Sequence, residues 1–328
     1  MLYLDAVGTI GSTPLIELAR LARGLPGRVL AKLESRNPGG SIKDRVAVAL
    51  IDDAERRGVL RPGMTIIEPT GGNTGVGLAV VAAIRGYPLV LTMPESMSVE
   101  RVALLRQLGA EVVLTAGILM GDAVDAARRL VDARDDAVMV DQFSNPANAE
   151  IHRRTTAVEL WEDSGGAIDI LVSAVGTGGT ITGVGEFLKQ RHPAARVVAV
   201  EPEGSALLSG GEPGPHQMPG IGVGFIPRIL NRAIIDEVVV VTDEEAFSCA
   251  RRLAREEGIL AGVSSGAAVH AALRIAARPE SEGAVVVTII PDTGERYITT
   301  ALFEQADRRS AAPVLGDGER CEHGDDAE

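Results

Sequence analysis

Aromatic side chains are scarce, at 3% of the chain, so the stacked rings that hold single-stranded nucleic acid are nearly missing. Positive charge is in deficit too. Lys and Arg number 32 against 45 Asp and Glu, a formal net charge of −13, which opposes binding to a phosphate backbone. Only two cysteines occur, Cys249 and Cys321, far apart and without a CxxC pair. They provide neither a disulfide framework nor a zinc site, in keeping with a reducing, cytoplasmic setting. His152, His192, His216, His270 and His323 show no ligand spacing, and Cys321 with His323 belongs to a polar tail, so no metal is expected. The start, Met1-Leu2-Tyr3-Leu4-Asp5, has no basic segment leading into an apolar one and does not read as a signal peptide. The apolar runs stop well short of membrane-spanning length, and no solenoid period recurs.

What the chain has is glycine, 38 residues of it, gathered in short clusters within a sequence of ordinary apolar content (45%). Between the clusters, strand-like and helix-like segments alternate. Strands are expected at 28–34, 65–68, 89–93, 111–115, 137–141, 168–175, 196–200 and 284–290. Helices are expected at 43–57, 75–85, 98–108 (with Ser98 as N-cap), 121–134, 149–163, 180–189, 243–257 and 265–277. Residues 203–232 read as a long loop. Continuous apolar strands alternating with helices predict an α/β fold of mainly parallel sheets covered on both faces. The strand number is too high for one small unit, so two open sheets are expected. Beyond about Ala306 the sequence turns acidic and polar, and residues 306–328 read as a disordered tail.

Four loops carry chemistry, each at a strand end or helix start, where open α/β sheets bind ligands. The turn Asn37-Pro38-Gly39-Gly40-Ser41-Ile42 delivers Lys43 to the first turn of a helix. The helix dipole disfavours a cation there, and a neutral amine can form a Schiff base. Alone, such a lysine is commonly a solvated surface residue. Gly176-Thr177-Gly178-Gly179-Thr180 follows a buried strand and opens a helix, which suits a cup for one phosphate monoester. It lacks the Gly-Lys-Ser/Thr of a Walker loop, and Ile181 stands where a dinucleotide fingerprint needs glycine. Thr70 to Gly75 is a second anion-ready loop, in which the Asn73 amide can donate to a phenolate-like oxygen. Ser264 or Ser265 opens the helix at 265–277 and is either an N-cap or a hydroxyl for a neutral ring nitrogen. Lysine, phosphate cup, asparagine and serine together describe pyridoxal phosphate.

With these loops in place the chain resembles the cysteine synthases (O-acetylserine sulfhydrylases) among the fold type II, tryptophan synthase β-like pyridoxal-phosphate enzymes. The resemblance spans about residues 8–305. It rests on Ser12 to Leu15, Glu34 to Pro38, Gly40 to Arg45, Glu68 to Gly75, Gln142 to Asn148, Gly176 to Thr180, Gly214 to His216, Gly220 to Phe225, Gly258 to Gly266 and Gly294 to Tyr297. It implies Lys43 as Schiff-base lysine and base for the α-proton, and Asn73 at the cofactor ring oxygen. It places Gly176, Thr177, Gly178, Gly179 and Thr180 on the phosphate and Ser264 at the ring nitrogen. Thr70, Gly71, Gly72, Thr74 and Gln142 are implied at the substrate carboxylate. Two departures stand out. Gly71 replaces the family's usual serine, removing one hydroxyl donor, and Ser12 replaces an asparagine.

The implied reaction is β-replacement of O-acetyl-L-serine by sulfide, giving L-cysteine and acetate. O-phosphoserine, or serine with homocysteine as in cystathionine β-synthase, are alternative substrates. Arg228 is the one arginine near Gly220 to Phe225 that a phosphorylated substrate could use. A mainly regulatory protein that binds serine acetyltransferase is the alternative of another class. The resemblance further implies a homodimer, a C-terminal serine acetyltransferase tail as partner, and two domains. The smaller, substrate-closing one comprises 1–12 and 35–146, and the larger, phosphate-binding one 13–34 and 147–305.

Overall fold

The computed structural model describes residues 2–97, 99–117 and 120–303. Ser98 and the acidic tail lie outside the described residues. In chain order, strand β1 (Leu15–Glu17) and β2 (Arg28–Leu33) lead to helix α1 (Lys43–Arg56). Then come β3 (Thr65–Pro69), α2 (Asn73–Arg85), β4 (Leu89–Pro94), α3 (Val99–Gln107), β5 (Glu111–Thr115), α4 (Met120–Asp132) and β6 (Ala137–Val138). Helices α5 (Ala147–Ile151) and α6 (Ala157–Asp163) flank a π-helical turn at His152–Thr156, so the expected single helix over 149–163 is interrupted. The rest is β7 (Ile170–Ala174), α7 (Gly179–Arg191), β8 (Arg196–Pro202), β9 (Glu237–Val241), α8 (Asp243–Arg252), α9 (Val263–Ala276) and β10 (Val285–Ile290).

Two sheets result. One has six strands in the order β1-β2-β10-β7-β8-β9, and the other four, β5-β4-β3-β6. Every pairing is parallel except β1 with β2. Strands β3, β4 and β10 are buried at every residue, as continuous Val/Ile/Leu runs require when helices cover both faces. The edge strand β5 is exposed at Glu111 and Leu114, and β6 shrinks to two residues where five were expected. Each sheet has its own apolar packing: α1, α2 and α3 cover the smaller one around Leu50, Ile66, Leu78 and Leu91, and α8 and α9 cover one face of the larger. Gly11 and Ser12 both take positive φ (+91° and +48°), so the asparagine usual in the resembling family would suit position 12 better than serine.

Candidate active site

The site lies at the carboxyl ends of the strands, where residues from both sheets face one cavity of about 260 Å³. Its floor begins with Lys43. After β2 the chain turns through Gly40, whose φ is +77° and where a Cβ would stand 2.5 Å from Arg296 Nη2. Only glycine fits there. The Gly39 N–H donates to Asp44 Oδ2 at 2.5 Å, which fixes the turn against the helix that starts at Lys43. Burial pushes the Asp44 carboxyl up to about 7. The Lys43 amine is lowered from its ordinary value chiefly by burial, with Asp292 opposing. Desolvation is the cause that disfavours the charged amine. The chain has three lysines. Lys32 is buried against Glu159 at 3.0 Å and Lys189 pairs with Asp236 at 2.7 Å, whereas Lys43 lines the cavity.

Behind it lies the glycine turn after β7. A Cβ on Gly176 would come 2.1 Å from the Gly220 carbonyl oxygen, and one on Gly179 2.0 Å from Asn148 Oδ1. Bare backbone therefore faces the start of α7, a 13-residue helix whose N-terminus favours an anion. Gly176, Thr177, Gly178 and Thr180 line the cavity, while Gly179 sits one step back as the first residue of α7. Thr177 Oγ1 accepts from Asn148 Nδ2 at 3.1 Å. Thr180 Oγ1 contacts His152 Nε2 at 3.3 Å, and burial holds that imidazole well below its ordinary pKa, hence neutral. Gly176→Ala is expected to weaken pyridoxal phosphate binding about 10- to 100-fold, the result of about 1–3 kcal/mol of overpacking. Equilibrium titration of the cofactor-free protein measures this, and unchanged affinity would contradict the cup.

The third wall is the loop after β3. Thr70, Gly71, Gly72, Asn73 and Thr74 all line the cavity. Helix α2 starts at Asn73, two residues before the expected position, with Gly72 as N-cap. Thr74 Oγ1 donates to Gln142 Oε1 at 2.6 Å. Gln142 is aimed inward by Glu68, whose two carboxylate oxygens each accept a backbone N–H, from Asp141 and from Gln142, at 3.0 Å. Asp141 takes φ +52° to make this turn, and burial pushes Glu68 up to about 7. A Cβ on Gly71 would meet Met97 Sδ at 2.4 Å, so the thioether fills the space that a serine side chain would enter.

Ser264 is 3% exposed and lines the cavity. Ser265 does not line it, so of the two hydroxyls Ser264 is the one brought to the site. It is not an N-cap, because α9 starts at Val263 with Gly262 before it. Sequence reasoning missed Met97, Arg101, Met120 and Tyr297 in the lining, and Asp292 beneath it. Arg101 donates to the Gly71 carbonyl at 2.9 Å and stacks over the Tyr297 ring at 5.5 Å. Arg228 is not part of the lining. A half-buried lysine, side-chain-free backbone at a helix N-terminus and a serine hydroxyl in one small cavity fit pyridoxal phosphate.

The sequence matches the family described as "Pyridoxal-phosphate dependent enzyme" over residues 7–292. Cysteine synthase A of Salmonella typhi is 52% identical over 312 residues, 92% of this chain and 96% of that protein. Among solved structures, the cysteine synthase of Entamoeba histolytica superposes with a TM-score of 0.89 at 42% identity, over 93% of this chain and 91% of that one. O-ureido-L-serine synthase superposes with a TM-score of 0.90 at 45% identity, over 95% and 98% of the two chains.

Proposed function

The chain belongs to the pyridoxal-phosphate dependent enzymes, and on that premise we propose that it is a cysteine synthase, replacing the acetoxy group of O-acetyl-L-serine by sulfide to give L-cysteine and acetate. The observation that carries this reading is Lys43, an amine whose pKa burial lowers, in the same cavity as the Thr70–Thr74 loop. Bound at Lys43, Asn73, the Gly176–Thr180 turn and Ser264, pyridoxal phosphate supplies the electron sink that lets a Cα–H bond ionise. The protein does the rest. Backbone N–H groups of Gly71 and Asn73, the Thr70 hydroxyl and the Gln142 amide hold the substrate carboxylate, while the Gly72 N–H orients the Thr70 hydroxyl and the Thr74 hydroxyl orients the Gln142 amide. Lys43 Nζ takes the α-proton and later returns it. Ser264 offers a neutral hydroxyl, so the ring nitrogen gains no full counter-charge and the sink stays moderate, which suits loss of a β-substituent.

Among the described residues Arg101 is the one arginine in the lining, and it is engaged with Gly71 and Tyr297 on the carboxylate side. It is not disposed as a free cation for a phosphate leaving group, which favours the acetyl ester over O-phosphoserine. Initial rates with sulfide test the choice. The proposal requires the kcat/KM of O-acetylserine to exceed that of O-phosphoserine, and of serine with homocysteine, by at least about 100-fold, roughly 2.7 kcal/mol of transition-state preference. Comparable or reversed values would reject the substrate. Gln142→Ala is expected to raise the KM for O-acetylserine about 10- to 100-fold with a smaller change in kcat, as lost carboxylate binding of about 1–3 kcal/mol requires. An unchanged KM would remove Gln142 from the site.

The same proposal includes the smaller domain, 1–12 with 35–146, closing on the larger, 13–34 with 147–305, to exclude water. Support comes from Phe143 of the cavity lining, which meets Phe225 of the larger domain edge to face at 5.1 Å. A homodimer, a cytoplasmic location and binding of a serine acetyltransferase tail belong to it as well. Among the described residues no helix is long and apolar enough to cross a membrane.

A further inference from the structure

Asp292 follows Pro291 just beyond the end of β10 and is 1% exposed. Its backbone is bridged to Ser41, and the Ile42 N–H donates to the Pro291 carbonyl at 2.9 Å. The carboxylate is thereby fastened against the segment that opens α1 at Lys43. Its Oδ2 accepts from Asn73 Nδ2 at 2.7 Å and from the Tyr297 hydroxyl at 2.5 Å. Its Oδ1 is buried and accepts from no group among the described residues. A buried carboxylate oxygen without a donor is costly and calls for an explanation.

We propose that Asp292 is a positioning residue of the reaction, with Oδ2 aiming the Asn73 amide at the cofactor and the carboxylate, bridged through its backbone to the segment that opens α1, favouring the ammonium form of Lys43 while that amine holds the substrate proton. The inference rests on the cofactor reading above. The proton count is simple. Nζ gains the α-proton, the C–H electron pair stays with the substrate, and Asp292 exchanges no proton.

The Asn73 amide is held at both ends. Its Nδ2 donates to Asp292, and its Oδ1 accepts from Arg296 Nη1 at 2.5 Å. Rotating the amide by half a turn would set oxygen against carboxylate and nitrogen against guanidinium. One N–H is thus left in a fixed direction. The other ionisable groups around Lys43 and Asp292 are Arg296, Tyr297, Arg101, Asp44, Arg45 and His152. Burial and the Asp292 charge raise the Tyr297 hydroxyl well above its ordinary range, so it stays a donor at neutral pH. The buried, neutral His152 adds no charge. Asp292 is the group that opposes the effect of burial on Lys43. Removing its charge should lower the amine further.

The test is Asp292→Asn, nearly equal in shape, with Tyr297→Phe as a variant that keeps the carboxylate and loses one donor. The rate at which cofactor-free protein captures pyridoxal phosphate is followed in the visible across pH. The pH midpoint for Asp292→Asn is expected to fall by about one unit or more, as loss of a nearby opposite charge predicts, while Tyr297→Phe stays closer to the unmodified protein. Turnover of Asp292→Asn should fall about tenfold, carried by kcat rather than KM. Asp292→Ser removes the same charge with less bulk and carries the same expectation if the asparagine variant is insoluble. An unshifted midpoint in either soluble variant overturns the role of Asp292. Failure of the unmodified protein to capture the cofactor would instead overturn the reading on which the inference rests.

Discussion

Lys43→Ala is expected to lower cysteine formation by about 10⁴-fold, while the protein folds and still binds pyridoxal phosphate. The magnitude follows from removing the group that both anchors the cofactor and moves the α-proton, since a positioned acid–base group alone is worth about 10²- to 10⁴-fold. No other lysine can substitute. Lys32 is fully buried between the Thr13 carbonyl, Glu159 and Asp163, and Lys189 is tied to Asp236 on the far end of α7. Small folding effects are expected because the Lys43 side chain forms no hydrogen bond or ion pair among the described residues. Steady-state rates with O-acetylserine and sulfide measure the loss, and thermal melting checks the fold. A variant that kept more than about a tenth of the native rate would take the proton transfer away from Lys43.

Arg45→Met is expected to cost about 3–5 kcal/mol of stability, a large part of the roughly 5–15 kcal/mol that holds a typical domain together. Arg45 lies two residues past Lys43 and is 2% exposed. Its Nε and Nη2 donate to the two oxygens of Glu34, both at 2.8 Å, and Nη1 and Nη2 donate to Glu159 at 2.6 and 2.7 Å. Glu34 is itself fully buried, also accepting from Thr13 Oγ1 at 2.6 Å and Asn37 Nδ2 at 2.9 Å. Methionine fills much of the volume but leaves that carboxylate without a cation. Acid behaviour reports on the same network. Burial opposes ionisation of Glu159, yet the hydrogen bonds and charge of Arg45 and Lys32 outweigh it and hold the carboxyl at about 2. A folded pKa below the unfolded value gives stability that is present above about pH 4.5 and lost as pH falls from there toward about 2. Arg45→Met should flatten this acid limb as well as lower the melting temperature. A loss under about 1 kcal/mol, the range of an exposed pair, would mean that the network is not desolvated as the structure shows it.

The parts legible in the sequence are those written in short runs. Pro38-Gly39-Gly40 announces its turn, and Gly176 to Thr180 declares its need for bare backbone. Thr70 to Thr74 reads as an N-terminal loop because Gly71 and Gly72 interrupt an apolar pattern. The two-sheet α/β plan was legible for the same reason, since β3, β4 and β10 are unbroken buried runs. What stayed hidden is carried by contacts between distant positions. Asn73 meets Asp292 across 219 residues and Arg296 across 223. Nothing in the local sequence marks Asp292 as more than the end of a strand, or Arg101 as part of the cavity. The π-helical turn at His152–Thr156 and the short β6 show no signal in residue spacing either. β9 has no expected counterpart, because Glu237–Val241 lies in the unassigned stretch between the long loop 203–232 and the helix expected at 243–257. The cap expected at Ser264 falls two positions earlier, at Gly262, which has no side chain to mark it, and α9 begins at Val263.

The most direct test of the account is to reduce the cofactor-loaded protein with borohydride, digest it, and locate the phosphopyridoxyl group by mass spectrometry. The account predicts the label on the peptide containing Lys43 alone. A label on Lys32 or Lys189, or no label on any of the three lysines, would contradict it.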